Sequence, residues 1–226
     1  MYGQGSYKYT NKMHEDFPKI KYFKGDDGKN KGILSKGHDY DIATSALINL
    51  NSIIFFDEKP KDNHEYIKIV GRKNNKRGSS YIRKEYVCNH PNLNKYKVIL
   101  SKADGAAGTL GKPVPARIIG VPTAIGPKYG HTQTFISIGC FENESEAKKL
   151  EKYIKTKFCR MLIGTLKVTQ DNPPAKWKNV PLQDFTDNSD IDWSKSIPEI
   201  DQQLYRKYGS SDEEIDFIET HVEEMK

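Results

Sequence analysis

Polar and apolar positions change period along the chain, and the changes mark out its elements. "EYIKIVG" (65–71) alternates with period two and predicts a strand ending at Gly71. "RKNNKRGSS" (72–80) reads as a cationic, Asn- and Gly-rich turn, and "YIRKEYV" (81–87) as a second strand. Together they predict a hairpin with a loop longer than the tightest types. "KYKVILSKA" (95–103) predicts a third strand, followed by the glycine-rich loop "DGAAGTLGKPVP" (104–115). "ARIIGVPTAI" (116–125) is strand-like but interrupted by Pro122, and "TQTFISIGCF" (132–141) alternates again after the turn "GPKYGH". The period then becomes helical: over 143–166, Ala147, Leu150, Tyr153, Ile154, Phe158, Met161 and Leu162 share one face. Asn143 with Glu146 gives that single long helix a capping box.

Two shorter helices are expected in the tail. Ser196 and Glu199 cap "IPEIDQQLYRKY", which Gly209 ends; Ser211 and Glu214 cap "DEEIDFIETHVEEM". Upstream, "DYDIATSALINLNSIIFF" (39–56) fits a short helix feeding a strand, and residues 1–32 read as an irregular arm. The fold class expected is α+β: a twisted, β-rich domain with one long packed helix and a C-terminal helical tail. The corresponding divisions are a lead-in over 1–50, a β-rich core over 51–185 and acidic helices over 186–226 packed on the same domain.

Composition adds an asymmetry of charge. The 226 residues are polar (mean hydropathy −0.75) yet 36% hydrophobic, enough for a core. Residues 1–180 hold 32 Lys and Arg against 17 Asp and Glu, whereas 181–226 hold 4 against 13. A basic body with an acidic tail suits a polyanion on one surface and a region kept off it. No apolar run approaches the ~20 residues that span a bilayer, so no membrane association is expected. The N-terminus carries no signal-like segment. Cys88, Cys140 and Cys159 are an odd number at wide spacing, which argues against a disulfide framework or zinc site and suits a cytoplasmic compartment.

Three chemistries compete for the polar residues. "DNPPA" contains Asn172-Pro173-Pro174, three residues of the tetrapeptide with which amino-methyltransferases hold a target base. The fourth position is Ala175, which offers no aromatic face, and base–aromatic stacking is worth ~1–3 kcal/mol. No glycine-rich cofactor loop leads into a helix either, so no catalytic residue and no bound cofactor are assigned to this chain. Asp57, Glu58 and Lys59, with Asp39 and Asp41 upstream, form a weak carboxylate–lysine pattern of the kind a Mg²⁺-dependent restriction endonuclease uses. Cys140 and Cys159 occupy apolar positions of core thiols.

The third chemistry is DNA binding, spread over four loops. Arg72, Lys73, Asn74, Asn75, Lys76 and Arg77 place guanine- and adenine-reading side chains among phosphate-neutralising ones. Lys102 precedes the glycine-rich loop and Lys112 lies within it. Lys128, His131 and Gln133 follow, and then Lys167, Gln170, Lys176, Trp177 and Lys178.

The succession "YIKIVGRKNNKRGSSYIRKEYV", "NKYKVILSKADGAAG", "TQTFISIGCFENESEAKKLEKYIKTKFCRMLIGTLKVTQD", "WKNVPLQDFT" and "DIDWSKSIPEIDQQLYRKYGSSDEEIDFIE" resembles the C-terminal target-recognition (specificity) domain of bacterial type II, type IIG-like, restriction–modification methylases. The likeness covers roughly 50–226. It implies a domain that reads double-stranded DNA in the major groove and presents it to a methyltransferase, sometimes also to a nuclease domain or subunit. In such proteins the S-adenosylmethionine loop and the Asn-Pro-Pro-aromatic motif lie N-terminal to this region. The resemblance therefore implies a fragment or a separately encoded specificity piece, with S-adenosylmethionine, and Mg²⁺ where a nuclease is present, belonging to the parent system. A module whose acidic tail docks a protein partner is the remaining alternative.

Overall fold

The computed structural model describes residues 6–21, 23–24, 30–31, 33–34, 36–103, 114–167, 169, 171–172 and 174–225. In chain order the elements are α1 (Asn11–Asp16), β1 (Phe23–Lys24), β2 (Asn30–Lys31), α2 (Ala46–Asn49), β3 (Tyr66–Lys73), β4 (Lys76–Arg83), β5 (Tyr96–Ser101), β6 (Thr123–Ile125), β7 (Tyr129–His131) and β8 (Phe135–Phe141). Four helices close the chain: α3 (Glu144–Lys155), α4 (Lys157–Leu166), α5 (Ile197–Tyr208) and α6 (Asp212–His221). This is an α+β fold with small sheets and two hydrophobic cores, one under β4–β3–β7 and one under β6–β5–β8.

The chain divides into two compact units, and the division is not the one expected from composition. One unit holds 5–94 and 127–135; the other holds 95–126 and 136–226. The proposed boundary after residue 50 falls inside the first unit, and the proposed 51–185 core is shared between the two. The reason lies in the supposed lead-in. Tyr7, Tyr9 and Met13 are fully buried with Ile67, Ile69 and Ile82 of the hairpin, so the N-terminal segment supplies core rather than arm.

In the first unit β3 is central. It pairs antiparallel with β4, from Tyr66↔Arg83 to Lys73↔Lys76, and parallel with β7 through Lys68↔Tyr129 and Val70↔His131. The expected long loop at 72–80 is instead a two-residue turn, because both strands continue to the tip. Asn74 and Asn75 take φ of 49° and 60°, the left-handed pair of a type I′ turn whose twist matches that of the strands. Helix α2 presses on β3 at Gly71, where a Cβ would lie 2.5 Å from Leu47 Cδ1. Past Arg83 the second strand stops, and Lys84–Tyr86 is a 3₁₀ turn.

The second unit stacks helices on the sheet β6–β5–β8. Only Thr123–Ile125 of the expected 116–125 strand forms, consistent with the interruption at Pro122. The long helix expected over 143–166 is two helices. Thr156 (φ −61°, ψ 147°) leaves α3 and starts α4. Its hydroxyl donates to Tyr153 O (2.6 Å) and accepts from the Cys159 N–H (3.1 Å). Arg160, buried, donates from Nε to Lys155 O (3.1 Å), and Asp201 of α5 accepts the Lys157 and Phe158 N–H groups. The break is thus satisfied at both ends, as orphaned helix termini require.

The remaining helix signals hold. Asn143 Oδ1 accepts the Glu146 N–H at 2.9 Å, both tail capping boxes form, and Gly209 ends α5 at φ 64°. The tail packs in the same core as α3: Ile200 and Leu204 lie with Leu150 and Phe158, and Phe185, Tyr153 and Trp193 make an aromatic cluster with centroids 5.2–6.1 Å apart.

Candidate nucleic-acid interface

The hairpin tip gathers six of the residues singled out from sequence. Because β3 and β4 pair in register, Arg72 stands opposite Arg77 and Lys73 opposite Lys76. Successive residues of a strand point to opposite faces, so each face of the ribbon carries two cations near its end. The core-side row runs Ile67, Ile69, Gly71, Lys73; the other row runs Tyr66, Lys68, Val70, Arg72.

The four cations have different partners. Arg72 Nη2 donates to the Asn75 carbonyl at 3.1 Å, which ties its guanidinium to the turn. Arg77 lies 5.2 Å from the Phe135 ring centroid. The Lys73 ammonium is bound by Asp57, which also accepts from Ser80 Oγ at 3.1 Å. Lys73 first, and then Ser80, hold the Asp57 carboxyl below its usual range. Lys76 is exposed and makes no ion pair among the described residues.

Toward the base of the hairpin, the same face as Arg72 and Arg77 bears an aromatic row. The Lys68 ammonium sits 4.9 Å from the Tyr81 ring centroid and 5.5 Å from that of Tyr129, on the two flanking strands. Hydrogen bonds to Tyr81 and Tyr129 raise its pKa above the usual lysine value. Arg83, one row further, lies 5.8 Å from the Tyr86 ring centroid. A cation held against tyrosines on a half-exposed sheet face suits phosphate and base contacts. Tyr129 stands in the polar "GPKYGHTQT" stretch that the sequence offers for DNA contact, whereas Lys68, Tyr81 and Arg83 are added by the structure, Lys68 at a position the period-two register through Arg72 points to.

Several expected contact residues lie elsewhere. His131 is fully buried, with Nδ1 3.0 Å from Thr132 O and its ring edge-on to Tyr7. It is a core histidine, corrected from a loop ligand: β7 joins β3 at this position. Trp177 is fully buried in the second unit's core and presents no face to DNA. Lys167 is buried too, its ammonium donating to Ile118 O, so it is no phosphate contact either. Lys176 directs a buried ammonium inward, leaving Lys178 exposed beside it. Lys128 is exposed but paired with Glu65 at 2.8 Å, and Gln133 is half-buried. Lys102 is exposed in the second unit. Lys112 and Gln170 lie outside the described residues.

The competing chemistries find less. Asn172 is fully buried, and neither amide atom of its side chain has a hydrogen-bond partner among the described residues. Its backbone N–H donates to Lys102 O at 2.7 Å, so it serves a chain crossing rather than an open base pocket. Asp57 is engaged by Lys73, and Asp41 lies 2.8 Å from His38 Nδ1. Among the described residues no group of three or more His, Cys, Asp or Glu is placed to hold a metal ion. Burial pushes the Cys159 thiol up, as for a core residue. No described helix is long and apolar enough to cross a membrane. No family model, curated protein or solved structure matches the chain.

Proposed function

We propose that the chain recognises a specific sequence in duplex DNA and positions it for a methyltransferase, or a methyltransferase with a nuclease, supplied by another domain or subunit of a restriction–modification system. S-adenosylmethionine, and any Mg²⁺, belong to that partner. The observation that carries the reading is the hairpin tip: a two-stranded ribbon with two arginines, two lysines and two asparagines within six residues. A major groove about 12 Å wide admits such a ribbon. Arg72, fixed by the Asn75 carbonyl, and Arg77 are the guanine-reading candidates; Lys76 is free for phosphate. The resemblance to target-recognition domains supports the same reading. Lys102, Lys178 and Gln133 remain candidate contacts, whereas His131, Lys167 and Trp177 leave the set because they are buried.

The test is selection of bound duplexes from a random pool, followed by titration of the enriched site at several salt concentrations. Arg72→Ala or Arg77→Ala should flatten preference at one position, by about 1–3 kcal/mol of discrimination. Lys76→Ala should weaken all duplexes alike and reduce the salt slope by about one. A pool that yields no enriched sequence would remove the proposal.

A further inference from the structure

The tail helices leave an apolar groove open. It lies in the second unit between α4 and α6, with a volume of about 490 Å³. On α4 the wall is Phe158, Met161 and Leu162, at the i, i+3, i+4 spacing of one helix face. On α6 it is Phe217 and Ile218, below Glu213 and Glu214 one turn earlier. Tyr208, stacked on Phe158 with ring centroids 5.0 Å apart, closes the end. Two rims stay wet: Tyr208 is 41% exposed and Phe217 40%.

Two helix faces side by side present ridges into which a third helix can pack. The charge of the rim selects its character. None of the described residues that line the groove is basic. Glu214 is held in the capping box of α6, Oε2 accepting the Ser211 N–H at 2.9 Å, while Glu213 has no partner among the described residues. Asp212 and Asp216 add further exposed carboxylates on the same helix.

We propose that this groove is a docking site for an amphipathic helix of a partner protein, apolar on one face and rich in lysine or arginine along its flanks. The partner's apolar side chains fill the trough over Phe158, Met161 and Leu162. Its cations meet Glu213 and the neighbouring carboxylates, which repel nucleic acid and acidic helices. The site is independent of the hairpin and of the DNA reading.

The test uses the full chain and two labelled 14-residue peptides with the same leucine stripe, one with lysine and one with glutamate at all other positions. The lysine peptide should bind one-to-one, at least about tenfold tighter than the glutamate peptide. It should shift backbone amide signals of 158–165 and 208–218 in NMR spectra. Phe217→Ser should weaken it about tenfold, and Glu213→Gln should weaken it and lower its salt dependence. Equal affinity for both peptides, no saturable binding, or shifts outside the groove would overturn the proposal. So would self-association of the wild-type chain in sedimentation that Phe217→Ser abolishes, since the occupant would then be a second copy.

Discussion

Asp201 of α5 closes the N-terminus of α4 by accepting the Phe158 backbone N–H at 2.8 Å, with its second oxygen 3.0 Å from the Lys157 nitrogen. The carboxyl is nearly inaccessible, and burial pushes its pKa from 3.8 up to about 6, against the two N–H bonds that favour the anion. An acid whose folded pKa is raised binds more protons in the folded state. Its contribution is therefore most favourable below pH 4 and is lost as pH rises through about 6.

Asp201→Asn removes the titration and keeps one of the two cap acceptors. Relative to this variant, the wild type should lose stability between pH 4 and pH 7, by at most about 3 kcal/mol. Exposed carboxylates such as Asp57 and Asp16 pull the pH dependence the other way, but they are common to both proteins and cancel. Asp201→Ala should be worse than Asp201→Asn at every pH, because it strands both N–H groups where asparagine strands one, at about 1–3 kcal/mol each. Urea unfolding across that range reads both; a wild-type-minus-Asn difference that is flat with pH would refute the titration.

The hairpin turn separates stability from reading. Both Asn74 and Asn75 have positive φ, which asparagine tolerates and glycine prefers. Asn75→Gly should leave the fold intact and stabilise it by up to about 1 kcal/mol, whereas Asn75→Val should destabilise it by about 1–2 kcal/mol. If the Asn75 side chain reads a base, Asn75→Gly should also relax preference at one position of the selected site. Thermal unfolding and duplex selection on the same protein distinguish these effects, and a destabilised Asn75→Gly would contradict the type I′ turn.

Asp57 gives opposite outcomes under DNA reading and under nuclease chemistry. It holds the Lys73 ammonium beside three other cations. Asp57→Ala should free that charge, strengthen binding to all duplexes and steepen the salt slope by up to about one. A Mg²⁺-dependent nuclease would instead lose cleavage on the same change. Binding that weakens, or wild-type cleavage that Asp57→Ala abolishes, counts against the recognition reading.

What was legible in the sequence was what is local. The tail capping boxes join residues three apart, so Ser196 with Glu199 and Ser211 with Glu214 were readable directly. The break at Thr156 was not, because it depends on Asp201, more than forty residues away, while the apolar face of 143–166 runs through it. At the hairpin tip the sequence predicts a loop rather than paired strands, because side chains exposed on both faces erase the alternation that marks 65–71. Its cations were found by type alone. Trp177 between two lysines looked like a surface stack, and His131 like a loop ligand; their burial follows from neighbours distant in the chain.

Lys97 carries the last prediction, because it breaks the rule that lysine stays in water. It is fully buried on β5, and among its acceptors are Lys95 O at 3.2 Å and Gly126 O at 3.4 Å. Burial lowers its pKa from 10.5 to about 7, with Cys140 opposing slightly. Between those values the unfolded chain binds more protons, so this group destabilises the fold increasingly as pH falls from 10.5 to 7, and fully below. Lys97→Met keeps the length and the apolar stem and removes the charge. The variant should be more stable at pH 6, with an upper bound of about 5 kcal/mol reduced by about 1 kcal/mol for each carbonyl that loses its donor. The gain should shrink steadily toward pH 9. Denaturant unfolding at both pH values checks it, and a gain that is absent or larger at pH 9 would mean that the carbonyl acceptors, not burial, set the state of this ammonium.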